Sequence, residues 1–193
     1  MAHPQLWLLR HGATEWALSG RHTGRTDLPL LPQGEDEARR LAPLLAQQSF
    51  ARVLTSPLQR ARRTCALAGL GPQAELEPRL MEWDYGSYEG ITTAEIRRDI
   101  PDWTVFSHPC PAGESIEQVQ TRCEQLIHEL LGQEGNIALF AHGHLLRCLA
   151  GCWLGLGAQG GALLVLSTGT YCVLGFEREQ RTLLRWNAPA CLP

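Results

Sequence analysis

Residues 6–12, LWLLRHG, carry an apolar run into a guanidinium, an imidazole and a glycine. The run at 6–9 reads as a strand buried on both faces. Ligands of open α/β sheets bind beyond the carboxyl ends of strands, so Arg10 and His11 stand where a ligand is expected. Gly12 lets the backbone come close to one, and Thr14 opens a helix whose N-terminus favours an anion. Residues 136–144, NIALFAHGH, repeat the arrangement: a second apolar strand at 136–141 delivers His142 and Gly143. Two strands presenting an imidazole at equivalent ends predict two histidines meeting in one pocket.

Working outward, strand and helix signals alternate. Residues 33–46 place Ala38, Leu41, Ala42 and Leu45 at helical spacing, with Pro43 expected to kink or shorten the helix. A short strand at 52–55 leads to Ser56-Pro57, a cap and first-turn proline for the next helix. Ile116, Val119, Cys123, Leu126, Ile127 and Leu130 form an apolar stripe after a Glu114-Ser115 cap. A buried helix is expected over 145–156, and tail strands over 162–166, 170–177 and 182–186. Strands separated by helices predict an α/β, three-layer α/β/α sandwich with a mostly parallel central sheet and helices on both faces. One domain over 1–193 is expected. Its aromatic-rich insertion at about 83–113 (Trp83, Tyr85, Tyr88, Trp103, Phe106) is expected to form a pocket wall or lid.

Composition narrows the chemistry. All 17 basic residues are arginine, which excludes a P-loop lysine and Schiff-base lysine chemistry and leaves anions to bidentate guanidinium contact. A net charge of −3 gives no general attraction to nucleic acid or an anionic membrane. Seven cysteines (65, 110, 123, 148, 152, 172 and 191), an odd number without a C-x-x-C pair, read as reduced and mostly buried thiols. With no leader pattern and no membrane-length apolar stretch, a cytoplasmic protein is expected.

Around the two strand ends the chemistry gathers. Residues 55–64, TSPLQRARRT, place Arg60 one turn into a helix near the sheet edge, where it would pair with Arg10 around a dianionic phosphate; Arg62 and Arg63 read as solvated. His142, at its strand end, suits a phosphate ligand and a stabiliser of transition-state charge. His144 reads either as a second layer behind it or as packing. A His142-x-His144 zinc chelate is disfavoured by the arginine beside His11 and by the lack of finger or H-E-x-x-H spacing, so no metal and no cofactor is expected. Glu82, among Trp83, Tyr85 and Tyr88, has the desolvated setting of a general acid, with Asp84 and Glu89 as competitors.

RHG, SPLQRA, a Glu followed by YG, and AHGH, in this order and spacing, resemble the histidine phosphatase superfamily, the branch that includes cofactor-dependent phosphoglycerate mutase. The resemblance runs over about residues 6–186. The segments SGRHTGRTDLPL, EWDYGSYEG, CPAGES and FAHGHLLR are similar to bacterial acid phosphatases and sedoheptulose-1,7-bisphosphatase-type enzymes.

The resemblance implies His11 as the nucleophile that becomes phosphohistidine. Arg10, Arg60 and His142 would hold the phosphoryl oxygens, and Glu82 would protonate the leaving group. It places Thr23 and Gly24 in a loop beside the substrate, and Tyr85, Gly143 and Arg147 on its substrate-facing side. The implied activity is hydrolysis of small phosphorylated metabolites, sugar phosphates or bisphosphates. A mutase is the enzymatic alternative, weakened here by the short, lysine-free insertion with only Arg97-Arg98, by Ala17 where an Asn is usual, and by His144 after AHG. A phospho-ligand-binding pseudo-phosphatase is the other alternative, although all five reacting groups are present. The only expected partners are the small phosphorylated substrate and a second copy, joined as a homodimer through the apolar C-terminal strands.

Overall fold

The computed structural model describes residues 3–190, so Cys191 lies outside the described residues. Six strands form one sheet: β1 (Gln5–Arg10), β2 (Phe50–Thr55), β3 (Ala74–Leu76), β4 (Asn136–Ala141), β5 (Thr170–Glu177) and β6 (Gln180–Pro189). Their order is β3-β2-β4-β1-β5-β6. β3, β2, β4 and β1 run parallel, and β5 and β6 join as an antiparallel pair. The α/β architecture with a mostly parallel sheet is as the alternation of signals predicts.

The alternation of side chains along β1 explains the two helical layers. Leu6 and Leu8 enter one core with Ile137, Leu139 and Leu174, against α5 (Ile116–Leu131) and α6 (Gly143–Trp153). Trp7 and Leu9 enter the other with Ala138, Phe140 and Val173, against α2 (Pro32–Leu45) and α3 (Gln59–Leu67). A strand sandwiched this way must be apolar at every position, which is why 6–9 shows no alternation. Leu8, fully buried, would cost about 2–5 kcal/mol if cut to alanine.

The helix-start signals at Thr14 and Ser115 hold. Ser115 and Gln118 form a reciprocal capping box at the start of α5. Thr14 accepts from the Ala17 amide and opens α1 (Glu15–Ser19). Pro43 is absorbed near the end of α2 rather than breaking it.

Three expectations are corrected. Ser56-Pro57 does not start α3. Leu58 is the cap residue, and the Asp27 carboxylate reaches across to accept the Gln59 amide at 2.8 Å. Residues 162–166 are not a strand, because a 3-10 helix occupies Ala158–Leu163 and leaves Leu163 and Val165 exposed. The helix expected over 145–156 runs Gly143–Trp153, followed by a turn through Gly155 at positive φ. The insertion holds a short helix, α4 (Thr93–Ile96), and a 3-10 turn at Gly86–Tyr88. Trp83, Trp103, Val105 and Cys110 from it are buried in the α5/α6 core. No helix among the described residues is long and apolar enough to cross a membrane.

Candidate active site

β1 and β4 pair in parallel with Arg10 opposite Ala141. The residues that follow, His11 and His142, therefore leave the sheet side by side, and their ring centroids lie 5.2 Å apart. The His11 amide continues the ladder by donating to the Ala141 carbonyl at 3.1 Å.

The loop after β1 is held from three sides. The Gly12 amide donates to Thr64 Oγ1 at 3.1 Å, the Ala13 amide to Glu37 at 2.9 Å, and the Ala13 carbonyl accepts from Leu31 at 2.9 Å. Gly12 does not make room for a ligand. A Cβ there would stand 2.0 Å from the Gly34 carbonyl oxygen, so this glycine permits the loop to touch the backbone of α2.

His11 Nδ1 donates to the Gly12 carbonyl at 2.8 Å, because a carbonyl can only accept. Burial, reinforced by the Arg60 and Arg10 cations, pushes the His11 pKa well below the usual histidine value. A neutral ring with its proton on Nδ1 keeps Nε2 as a lone pair, the form that attacks an electrophile.

Next to this nitrogen is a cavity of about 190 Å3. Its lining includes Arg10, His11, Glu82, Tyr85, Gly143 and Arg147. Arg10 bonds to the Leu166 carbonyl, while its buried Nε has no partner among the described residues. Burial lowers the Arg10 pKa against the opposing pull of Glu82. Gly143 lies against this guanidinium: a Cβ would stand 3.2 Å from Arg10 Cζ. Arg147 is fixed by a 3.0 Å bond from Nε to the Gly161 carbonyl and lies 4.7 Å over the Phe106 ring.

Arg60 and His142 sit differently from the expectation. Both are fully buried and neither lines the cavity. Arg60 donates from Nε to His142 Nδ1 at 3.1 Å and from its terminal nitrogens to the carbonyls of Thr23, Gly24 and Thr26. His142 Nε2, which must then carry the proton, donates to Ser56 Oγ at 2.8 Å. Burial and the Arg60 charge hold the His142 pKa well below its usual value. The pair lies beneath His11 and acts on it through charge and position, with its polar atoms committed to protein. With both ring nitrogens engaged, His142 offers nothing to a His142-x-His144 chelate, and no group of three or more His, Cys, Asp or Glu among the described residues could hold a metal ion.

The three competing carboxylates separate by location. Asp84 faces Arg25 at 3.6 Å, with 36% of its side chain exposed. Glu89 accepts the Gly24 and Thr26 amides at 2.8 and 3.1 Å, bracing that loop. Glu82 alone of the three lines the cavity. It accepts the amides of Trp83, His144 and Leu145 at 2.9, 3.0 and 2.8 Å. The last two belong to the first turn of α6, so Glu82 caps that helix as well as facing the cavity.

Thr23 lines the cavity and lends its carbonyl to Arg60; Gly24 does only the second, so its place is in the support and not on the substrate side. Tyr85 is buried and its hydroxyl meets His144 Nδ1 at 2.6 Å. Arg21, His22 and Thr93 also line the cavity, and sequence reasoning passed over them. His22 lies inside SGRHTGRTDLPL, but no strand end marks it. Its position depends on a bond from its Nδ1 to the Ile91 carbonyl at 2.7 Å, across a large gap in sequence.

With this geometry in hand, comparison with known proteins is specific. The family described as the histidine phosphatase superfamily (branch 1) matches residues 6–189. An acid phosphatase of Mycobacterium tuberculosis is 39% identical over 183 residues, covering 93% of this chain and 90% of its own length. A sedoheptulose 1,7-bisphosphatase of Saccharomyces cerevisiae is 35% identical over 190 residues, covering 81% of this chain and 69% of its own. A probable phosphoglycerate mutase, GpmB, of Photorhabdus laumondii is 34% identical over 166 residues, covering 80% and 77%. The solved structure of an open reading frame product from Mycobacterium tuberculosis superposes with a TM-score of 0.91 at 36% identity, covering 97% of this chain and 98% of that one.

Proposed function

The chain belongs to the histidine phosphatase superfamily (branch 1) and is a hydrolase of phosphatase type, and from that premise we propose that it cleaves small phosphate monoesters through a phosphohistidine on His11. The observation that carries this reading is the His11 ring: Nδ1 tied to the Gly12 carbonyl at 2.8 Å, with the ring at a cavity shared with Arg10 and Glu82.

In the first step His11 Nε2 bonds to phosphorus, the P–O bond to the alcohol breaks, and Glu82 gives its proton to the departing oxygen. Arg10 faces the charge on the phosphoryl oxygens, and Arg60 adds its field from below. In the second step water bonds to phosphorus, the N–P bond breaks and Glu82 takes the water's proton back. The amides of Trp83, His144 and Leu145 hold the Glu82 side chain in place through both steps. Atoms and charge balance with no further reactant.

Sugar phosphates or bisphosphates are the proposed substrates. Arg21 and Arg147 line the same cavity as Arg10 without an ion-pair partner among the described residues, and a relative named for sugar bisphosphate hydrolysis is similar over 81% of the chain. A reducing compartment such as the cytoplasm suits the six described cysteines, all free and buried.

The test is phosphate release from p-nitrophenyl phosphate labelled in its phosphate, with an alkaline denaturing quench to trap an acid-labile, base-stable phosphoprotein. Wild type should release phosphate and trap label; His11→Ala should lose both, with kcat/KM down by more than about 10^4-fold. Release that survives His11→Ala overturns the proposal. Phosphate shuttled between two positions of one substrate without release indicates the mutase alternative, and binding without turnover a pseudo-phosphatase.

A further inference from the structure

Two imidazoles on the cavity, His22 and His144, have no part in the phosphoryl steps. Their hydrogen bonding fixes what each can offer. His22 is clamped by the insertion: its amide donates to the Ile91 carbonyl at 3.0 Å, and its carbonyl accepts from Gly90 at 2.9 Å. Its ring packs 4.8 Å from Tyr85 and edge-on to Trp103 at 5.2 Å. Since Nδ1 donates to the Ile91 carbonyl at 2.7 Å, a neutral His22 has only a lone pair at Nε2.

His144 is the complement. The Tyr85 hydroxyl, on a residue only 2% exposed, makes one hydrogen bond among the described residues, to His144 Nδ1. Were Nδ1 the donor, the hydroxyl proton would be buried without an acceptor, at a cost of about 1–3 kcal/mol. Tyr85 therefore donates, and His144 carries its own proton on Nε2.

Burial holds both imidazoles below the usual histidine pKa, His144 strongly so with Arg147 adding to the effect. Neither Nε2 has a protein partner among the described residues, and neither is a buried orphan, so both face the open cavity that the two rings line. The rings lie 6.2 Å apart and nearly parallel, 17° between planes.

A bare acceptor beside a bare donor, on uncharged rings, is not an anion site: the His22 lone pair repels a carboxylate or a second phosphate. A hydroxyl both donates and accepts. We propose that His22 and His144, with Tyr85 fixing the tautomer of His144, read hydroxyl groups on the alcohol portion of the substrate. The enzyme thereby selects polyol phosphates over alkyl or aryl phosphates. This rests on the phosphatase reading above and sharpens it.

Ribose 5-phosphate and n-pentyl phosphate, both primary phosphate esters with and without hydroxyls, provide the test. Wild type should favour ribose 5-phosphate in kcat/KM by at least about tenfold, since a site built for hydroxyls rejects the analogue that lacks them. His22→Phe should reduce that ratio at least about fivefold, and Tyr85→Phe, which frees His144 to change tautomer, should reduce it by a smaller factor. A wild-type ratio near one overturns the proposal whether or not any variant folds. So does an equal loss on both esters in the variants, the mark of a packing role. Loss of all phosphate release in wild type, or its persistence in His11→Ala, would instead sink the phosphatase reading.

Discussion

The cavity has a floor and a wall, and they are made by different means. The floor is His11 over His142 and Arg60, set by the register of two paired strands and sealed until nearly every polar atom has a protein partner. The wall takes Ala17, residues 20–23, Tyr85, Thr93 and the first turn of α6, and leaves polar atoms turned inward without partners. A saturated floor serves one reaction. An unsaturated wall reads whatever the phosphate is attached to, so the two regions should respond differently to substitution.

The largest effect is expected where they meet. Glu82→Gln removes the proton donor and, because an amide NH2 cannot accept, leaves at least one of the Trp83, His144 and Leu145 amides unpaired. Steady-state kinetics should show a loss of about 10^2–10^4-fold in kcat, and melting a loss of about 1–3 kcal/mol. A fully active Glu82→Gln would transfer the acid role elsewhere.

Below that, in the floor, Arg60→Ala strips donors from His142 Nδ1 and three carbonyls. Chemical denaturation should register a loss of at least about 3 kcal/mol. An unchanged midpoint would mean that water replaces the guanidinium.

Acid should then split the two properties of the floor. The pKa values of His11 and His142 in the floor, and of His144 in the wall above it, are held well below the ordinary 6.5, chiefly by burial. Below pH 6.5 the unfolded chain takes up these protons before the native one does, so stability falls as pH falls, by about 1.4 kcal/mol per pH unit for each histidine. The attacking ring, its pKa held down by burial and by Arg60 and Arg10, is expected to keep its lone pair further into acid than an ordinary histidine does. Thermal melts from pH 7.5 to 5 should show Tm dropping while short assays at low temperature keep most of their kcat. A rate that tracks an ordinary histidine titration would mean that His11 is not shielded.

The smallest effect belongs to the wall. Arg147→Ala should raise KM for a phosphorylated sugar by about tenfold with a smaller change in kcat. A loss confined to kcat would move Arg147 into the chemistry.

The same division sets what could be read from the sequence. β1, β4 and their histidines were legible because one continuous apolar run and one local motif specify each. Arg60 was placed on the right helix, but it is the second residue of α3 rather than one turn in, and its commitments to His142 and three carbonyls were not legible, since those depend on how α3 meets β4. The Ser56-Pro57 cap failed because a distant Asp27 supplies the capping oxygen, leaving Ser56 Oγ to accept the Leu58 amide and pair with His142. The apolar stretch at 162–166 misled because it combines two exposed side chains with backbone carbonyls that Arg10 and Trp186 use. His22 could be quoted but not assigned, because its partner Ile91 comes from the irregular insertion; Gly24 was assigned to the substrate side, whereas Glu89 of that insertion and Arg60 hold it in the support.

The in-register pairing of β1 with β4 also bears on how activity arises over time. The two imidazoles, His11 and His142, are far apart in sequence, and nothing local holds them together before those strands join. Non-local pairings form slowly, since loop closure precedes any reward. A refolding chain can thus regain helical signal from α5 and other local elements while remaining catalytically silent. Turnover requires the first strand beside the fourth, so its return reports that this long-range contact has formed.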